Sequence, residues 1–287
     1  MKKISIPLSI LILMFVVIGD VLAVTASEYA IVINLSGRQR MLTQKMSKEM
    51  LLIANNVDAE GNRANLAKTA KLFDTTLTGL RDGNADMGLP PTEGKVILKQ
   101  LAKIEKLWTE FHSVVSDVVA GNKVDIAKIA ELNLPLLKNM NTAVRLYEKE
   151  AKKATGKSAG IVINLAGKQR MLTQKMSKEM SLVALGHQVD ENKSNLRSTA
   201  SLFDRTLKGL LDGDTDLELP GTKDEAIRTQ LGVVKKLWKD FQPVVERASS
   251  VDVKGVAKDD LVQMSKLNLP LLKEMNKAVK MYEQLEQ

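Results

Sequence analysis

The sequence predicts an all-α protein of two tandem antiparallel four-helix bundles, set side by side about a pseudo-two-fold after an N-terminal signal peptide. Three observations carry this. Hydrophobic residues make up 44% of the 287 but aromatic ones only 3%, a mixture that suits helical bundles better than sheets. Gly, Asn and Pro clusters punctuate the chain at helix-length intervals. And one unit is written twice. "INLSGRQRMLTQKMSKEM", residues 33–50, returns as "INLAGKQRMLTQKMSKEM" at 163–180, with changes only at Ser36/Ala166 and Arg38/Lys168.

The elements follow in order. Lys2 and Lys3 precede an apolar run over 4–19, closed by Asp20 and two small-residue triplets, Val21-Leu22-Ala23 and Val24-Thr25-Ala26. Residues 1–26 therefore read as a secretory signal peptide, with an uncleaved anchor as the alternative. Unit one, 27–154, reads as four helices. The first covers about 27–57 and the second about 62–80, ending in Arg81-Asp82-Gly83-Asn84. Pro90-Pro91-Thr92 starts the third, to about 119, and Gly121-Asn122 closes it. The fourth runs over about 125–154, kinked or restarted at Pro135.

The linker is 155–160, with breakers at Gly156 and Gly160; a chain reversal there, the favoured reading, would place the first helices of the two units parallel, whereas a straight continuous helix would stack the bundles end to end. Unit two, 161–287, repeats the pattern. Leu72-Phe73-Asp74 and Leu107-Trp108 return at the same offset of 130, as Leu202-Phe203-Asp204 and Leu237-Trp238. Asn133-Leu134-Pro135 returns five residues later than that, as Asn268-Leu269-Pro270. Between these landmarks the copies have drifted, so the signature segment is retained for a reason of its own.

Composition narrows the function. With no cysteine the chain has no disulfide framework, thiol nucleophile or thiolate metal site. The net charge of +8 is spread among interspersed Lys, Glu and Asp, which read as solvated helix faces and not as a nucleic-acid footprint. It suits an anionic small ligand or an anionic membrane surface better. The 82–93 stretch has calcium-loop spacing in part, but Met87 stands where glycine is needed, and a helix stop explains it more simply. His112 and His187 fall at unrelated positions of the repeat, and no acid–base or nucleophile set appears, so the expectation is no enzyme, no cofactor and no metal.

On a helical wheel, Ile31, Leu35, Leu42, Met46, Met50, Ile53 and Val57 form one apolar stripe, sufficient to pack the first helix in its bundle. The opposite face carries Ile33, Gly37, Arg40, Gln44 and Lys48. A glycine inside a helix destabilises by about 1 kcal/mol relative to alanine, so Gly37 and its copy Gly167 imply close approach of a helix or a ligand. Small-residue helix packing, with the arginine reaching solvent, is the plainer alternative.

"NLSGRQRMLTQKM" and "NLAGKQRMLTQKM" resemble the signature of PilJ-type extracytoplasmic sensor domains, and are similar to the sensing helix of NarX-type nitrate/nitrite receptors. The resemblance covers both units. It implies that two sensor units pair through their first helices and hold a nitrate-like anion between them. Carried over by motif, the anion contacts are Arg40 and Arg170 and the motif glycines Gly37 and Gly167; by their chemistry, Gln44, Gln174, Asn34 and Asn164 are neutral donors near the seam. Lys45 and Lys175 depart from the arginine common in the family.

The function so implied is an exported, periplasmic, non-catalytic module binding nitrate or nitrite within an intramolecular pseudo-dimer. It would act through a separate membrane-bound sensor or chemoreceptor, without nucleic acid. A helical interaction or scaffold protein without a small ligand is the alternative. Under the first reading Arg40 faces Arg170 across a polar site; under the second it is solvated or paired with a carboxylate.

Overall fold

A computed structural model describes residues 24–156 and 159–285, so the predicted signal peptide lies outside the described residues except for its last three. Among the described residues there are eight α-helices and no strand. Unit one holds α1 (Ala26–Ala54), α2 (Ala59–Asp82), α3 (Lys95–Val119) and α4 (Ile126–Thr155). Unit two holds α5 (Ala159–Ala184), α6 (Val189–Asp212), α7 (Glu225–Ser249) and α8 (Lys258–Gln284).

Local chemistry sets the boundaries. Thr25 caps α1 in a reciprocal box with Glu28, so the helix begins one residue before the predicted 26/27 boundary. Asp58 caps α2, which starts three residues earlier than its apolar pattern suggested. Asp125 caps α4 and Gly156, with φ of 71°, ends it in the left-handed conformation that glycine adopts freely. The α2–α3 connection holds a 3-10 turn, Ala85–Met87, inside an Asn84–Leu89 backbone pair; Asp214–Leu219 repeats that pair in unit two. Pro135 and Pro270 lie inside uninterrupted helices, so neither restarts the fourth helix. The linker is shorter than predicted: α4 continues through Thr155 and α5 begins at Ala159.

The chain does reverse there. Asn164 of α5 donates to Glu148 of α4 at 2.8 Å across only 16 residues, a stretch that one straight helix would spread over about 24 Å. The bundles therefore lie side by side. Their most extensive contact is α1 against α5, in parallel and equal register. Arg40 meets Asn164 as Arg170 meets Asn34, and Asn55 near the other end of the seam donates to the Ser181 carbonyl.

Each bundle has the same internal order. α1 packs on α2 and α4, with α3 closing the bundle against both of these; α5 packs on α6 and α8, with α7 in the same place. Aromatic anchors recur: Phe73 packs on Trp108, whose Nε1 donates to Asp74 at 3.0 Å, and Phe203, Trp238 and Asp204 repeat the arrangement at the same distance.

Because α1 is enclosed by its own bundle on one side and by α5 on the other, it is buried nearly all round between Tyr29 and Leu52. That explains its mixed composition. One stripe, with Met46 and Met50 fully buried, packs in the bundle core. The face that the bundle does not need is the one α5 covers.

Candidate functional site

The seam is polar where the repeated arginines meet it. Arg40 and Arg170 are each 1% exposed, among the largest fully buried side chains of the protein. Arg40 Nη1 donates to Asn141 Oδ1 of α4 at 2.8 Å. Its Nη2 crosses to α5, donating to the Asn164 backbone carbonyl at 3.3 Å and to the Asn164 side-chain oxygen. Arg170 mirrors this, with Nη1 on Asn276 Oδ1 of α8 at 2.7 Å, and Nη2 on the Asn34 carbonyl at 3.2 Å and Oδ1 at 2.7 Å. Each signature helix thus offers an arginine to its neighbour and an asparagine in return.

The motif glycines serve their own arginines. A Cβ on Gly37 would lie 3.3 Å from Arg40 Nη2, and one on Gly167 would lie 3.3 Å from Arg170 Nη2; among the described residues, the helix's own backbone apart, nothing else comes within 4 Å of either. The guanidinium folds back over the preceding turn of its own helix, and glycine clears the space. The expected close approach is by that side chain and not by the partner backbone.

Each asparagine is held in turn by a carboxylate. Asn164 Nδ2 donates to Glu148 Oε1, and Asn34 Nδ2 donates to Glu283. The amide oxygen then faces the arginine, which has only donors to offer. Asn34 and Asn164 therefore present acceptors to the guanidiniums, whereas the sequence reading had them as donors.

Electrostatics at this level are strained. Among the described residues neither guanidinium forms an ion pair with a carboxylate, and the Nε of each is buried without a hydrogen-bond partner. Burial pushes Arg40 down to about 10, offset in part by Glu148 and assisted by Arg145. Burial pushes Arg170 down to about 9, assisted by Arg38 and Arg40. Both stay charged at neutral pH. Lys168 is lowered too, by burial first and then by the charges of Arg40 and Arg145. Positive charge exceeds negative here, in a setting too dry to screen it.

Further along the seam, Gln44 and Gln174 turn toward their own bundles. Gln44 Nε2 donates to Asn133 Oδ1 at 2.9 Å, and Gln174 Nε2 donates to Asn268 Oδ1 at 2.8 Å; the Oε1 of each is buried and unpartnered. The same Asn oxygens receive lysines from across the seam, Lys178 on Asn133 at 3.1 Å and Lys48 on Asn268 at 3.2 Å. Burial lowers both ammoniums to about 8, against the raising effect of Glu49 and Glu179. Lys45 and Lys175 bond Glu49 and Glu179 within their own helices.

Of the eight residues selected from sequence, Arg40 thus bonds Asn164 and Arg170 bonds Asn34, Gly37 and Gly167 shape the arginines, and Gln44 and Gln174 flank the group one turn on. Sequence reasoning missed Asn141, Asn276, Glu148 and Glu283. A signal for them exists: in the fourth helices Asn141/Asn276 and Tyr147-Glu148/Tyr282-Glu283 recur at the offset set by Asn133/Asn268.

Comparison with known proteins bears on the family of the chain. The family model for the N-terminal domain of type IV pili methyl-accepting chemotaxis transducers (PilJ) matches twice, over residues 24–130 and 154–261. The chain is similar to the methyl-accepting chemotaxis protein McpN of Pseudomonas aeruginosa, at 28% identity over 120 residues. That match covers 42% of this chain and 22% of the relative, so it spans less than a quarter of the relative's length. No solved structure matches.

Proposed function

The chain belongs to the PilJ family of type IV pili chemotaxis-transducer N-terminal domains, and from that premise we propose that it is a non-catalytic sensory module capturing a small planar anion between Arg40 and Arg170. Nitrate or nitrite is the first choice of ligand. The observation that carries this reading is the pair of guanidiniums, each 1% exposed, gathered at one seam with no carboxylate bonded to either among the described residues. A buried cation is destabilising unless its charge is answered. A planar oxyanion answers it with the parallel bonds that a guanidinium fork is built to donate.

Duplication fits the same reading. A site made by two first helices needs two units, and here both reside in one polypeptide, so the site forms without a second chain. The module works outside the cytoplasm and passes its state to a membrane-bound chemoreceptor. Among the described residues no helix is long and apolar enough to cross a membrane, so the described helices do not themselves supply that connection.

Calorimetric titration with nitrate, nitrite, chloride and sulfate tests this. Saturable nitrate binding near one per chain is expected, lost in Arg40→Ala and in Arg170→Ala. Absence of saturable binding, or unchanged affinity in both variants, overturns it. A second reading, a scaffold without small ligand, draws on the asparagine oxygens that already occupy the outer nitrogens of both guanidiniums. It predicts no anion binding.

A further inference from the structure

The structure links the arginine pair to two carboxylates that the motif does not contain. Arg40 of unit one bonds Asn164 of unit two, which bonds Glu148 of unit one. Arg170 of unit two bonds Asn34 of unit one, which bonds Glu283 of unit two. Each relay crosses the seam and returns. Glu148 and Glu283 are equivalent positions of the repeat, and both asparagines are inside the repeated signature, so the relay has two independent copies.

The hydrogen-bond inventory makes the relay directional. An asparagine amide has one acceptor end and one donor end, and rotation by half a turn exchanges them. A carboxylate accepts only, so it takes the Nδ2 end. The Oδ1 end is thereby fixed toward the guanidinium. If the amide turned over, Nδ2 would face an arginine that can only donate, and Oδ1 would face a carboxylate that can only accept. Two repulsive contacts would replace two hydrogen bonds.

A fixed Oδ1 is an acceptor held where an oxyanion needs to be. The same Nη2 that a planar anion would engage is bonded to Asn164 Oδ1 in one half and to Asn34 Oδ1 in the other. Glu148 is half-buried, and burial raises its proton affinity first, with Asn164, Arg40 and Arg145 opposing. Its carboxylate adds negative charge close to the place where an anion would sit. Both effects act against the ligand.

We propose that Glu148 and Glu283 are positioning residues that set the affinity of the seam, by holding Asn164 and Asn34 as internal acceptors which a bound oxyanion must displace. This rests on the anion reading of Arg40 and Arg170. Displacement releases each asparagine Oδ1 from its arginine across the α1–α5 seam but leaves Nδ2 on its carboxylate, so the asparagine–carboxylate pair is free to shift at the last turns of α4 and of α8. Ligand occupancy is thereby transmitted to the ends of the fourth helices, in both units at once.

The test compares Glu148→Ala/Glu283→Ala with Glu148→Gln/Glu283→Gln on the full chain. Nitrate titration and NMR of the Asn34 and Asn164 side-chain amides are read together. The alanine pair removes both the acceptor and the charge, and should bind nitrate several-fold tighter, with the two amide signals displaced and broadened. The glutamine pair keeps an acceptor for Nδ2, and should return the amide signals toward their parental positions and affinity part of the way. Nitrate itself should move the amide signals in the parent. Unchanged affinity in the alanine pair, or amide signals that do not respond to the loss of the carboxylates, overturns the proposal.

Failure of the anion reading is separable. If the parent binds no anion, that reading falls, and the affinity-setting role falls with it. The amide signals then report only whether the carboxylates orient the asparagines.

Discussion

Arg40 lies on the first helix of unit one, yet Asn164, on the first helix of unit two, accepts from its Nη2 with both a backbone carbonyl and a side-chain oxygen. The arginine is therefore a structural element of an interface before it is anything else. An asparagine carbonyl in the middle of a helix already accepts its own intrahelical bond, and the guanidinium adds to it through the second lone pair. The two units are held in register by this contact and by its mirror image at Arg170 and Asn34.

Gly37→Ala and Gly167→Ala separate fold from site. The new Cβ would sit 3.3 Å from the guanidinium nitrogen, close enough to displace it by a few tenths of an ångström but not to exclude it. Alanine also favours the helix by about 1 kcal/mol at an interior position. Global stability should stay within about 1 kcal/mol of the parent in urea unfolding, while nitrate affinity falls. A strong loss of stability would mean that the glycine clears backbone, and the assignment of its space to the arginine would be wrong.

The bundle architecture, the doubling and the arginine–glycine pair were legible in the sequence because they are local or repeated. Apolar spacing exposes the helices, and Gly-x-x-Arg appears in both signature copies. The partners were not legible for the opposite reason. Asn141 is 101 residues from Arg40, and Asn164 is 124 residues away. No pattern along one helix shows that an asparagine on another will turn its oxygen inward. Nor did the wheel show that Gln44 would turn to Asn133 in its own bundle, since a single helix does not reveal how two neighbours share one face.

Lys48 and Lys178 make stability depend on alkaline pH in a definite direction. Burial lowers both to about 8 from the ordinary 10.5, so between those values the unfolded chain binds more protons than the folded one. Stability contributed by this linkage rises as pH rises through that window, as the folded ammoniums lose their protons first. Tyr147 and Tyr282, raised by burial to about 12, act oppositely above pH 10, where the unfolded phenols ionise first. Arg170, lowered to about 9, adds a slope of the same sign above that value, so the window that belongs chiefly to the two lysines is about pH 8 to 9. Lys48→Met/Lys178→Met should flatten the slope of unfolding free energy there, measured by urea titration at each pH. An unaltered slope would show that neither lysine is desolvated.

Asn268 offers the sharpest test that the two bundles are one energetic unit. Its side chain is fully buried, with Oδ1 accepting from Gln174 at 2.8 Å and from Lys48 of the other unit at 3.2 Å, and Nδ2 donating to the Thr173 carbonyl and Ser177 Oγ. Asn268→Leu leaves a buried ammonium without its acceptor and should destabilise by about 3–5 kcal/mol. Lys48→Met alone removes the charge, leaves Asn268 its bond from Gln174, and should be neutral or stabilising by about 1–3 kcal/mol. Once the lysine is gone, the leucine strands only neutral groups and should do much less harm. The double-mutant cycle should therefore show about 1–3 kcal/mol of coupling between residues 220 positions apart. Additive effects, within a few tenths of a kcal/mol, would mean that Lys48 does not depend on unit two. The fused bundles would then be neighbours and not a single cooperative body.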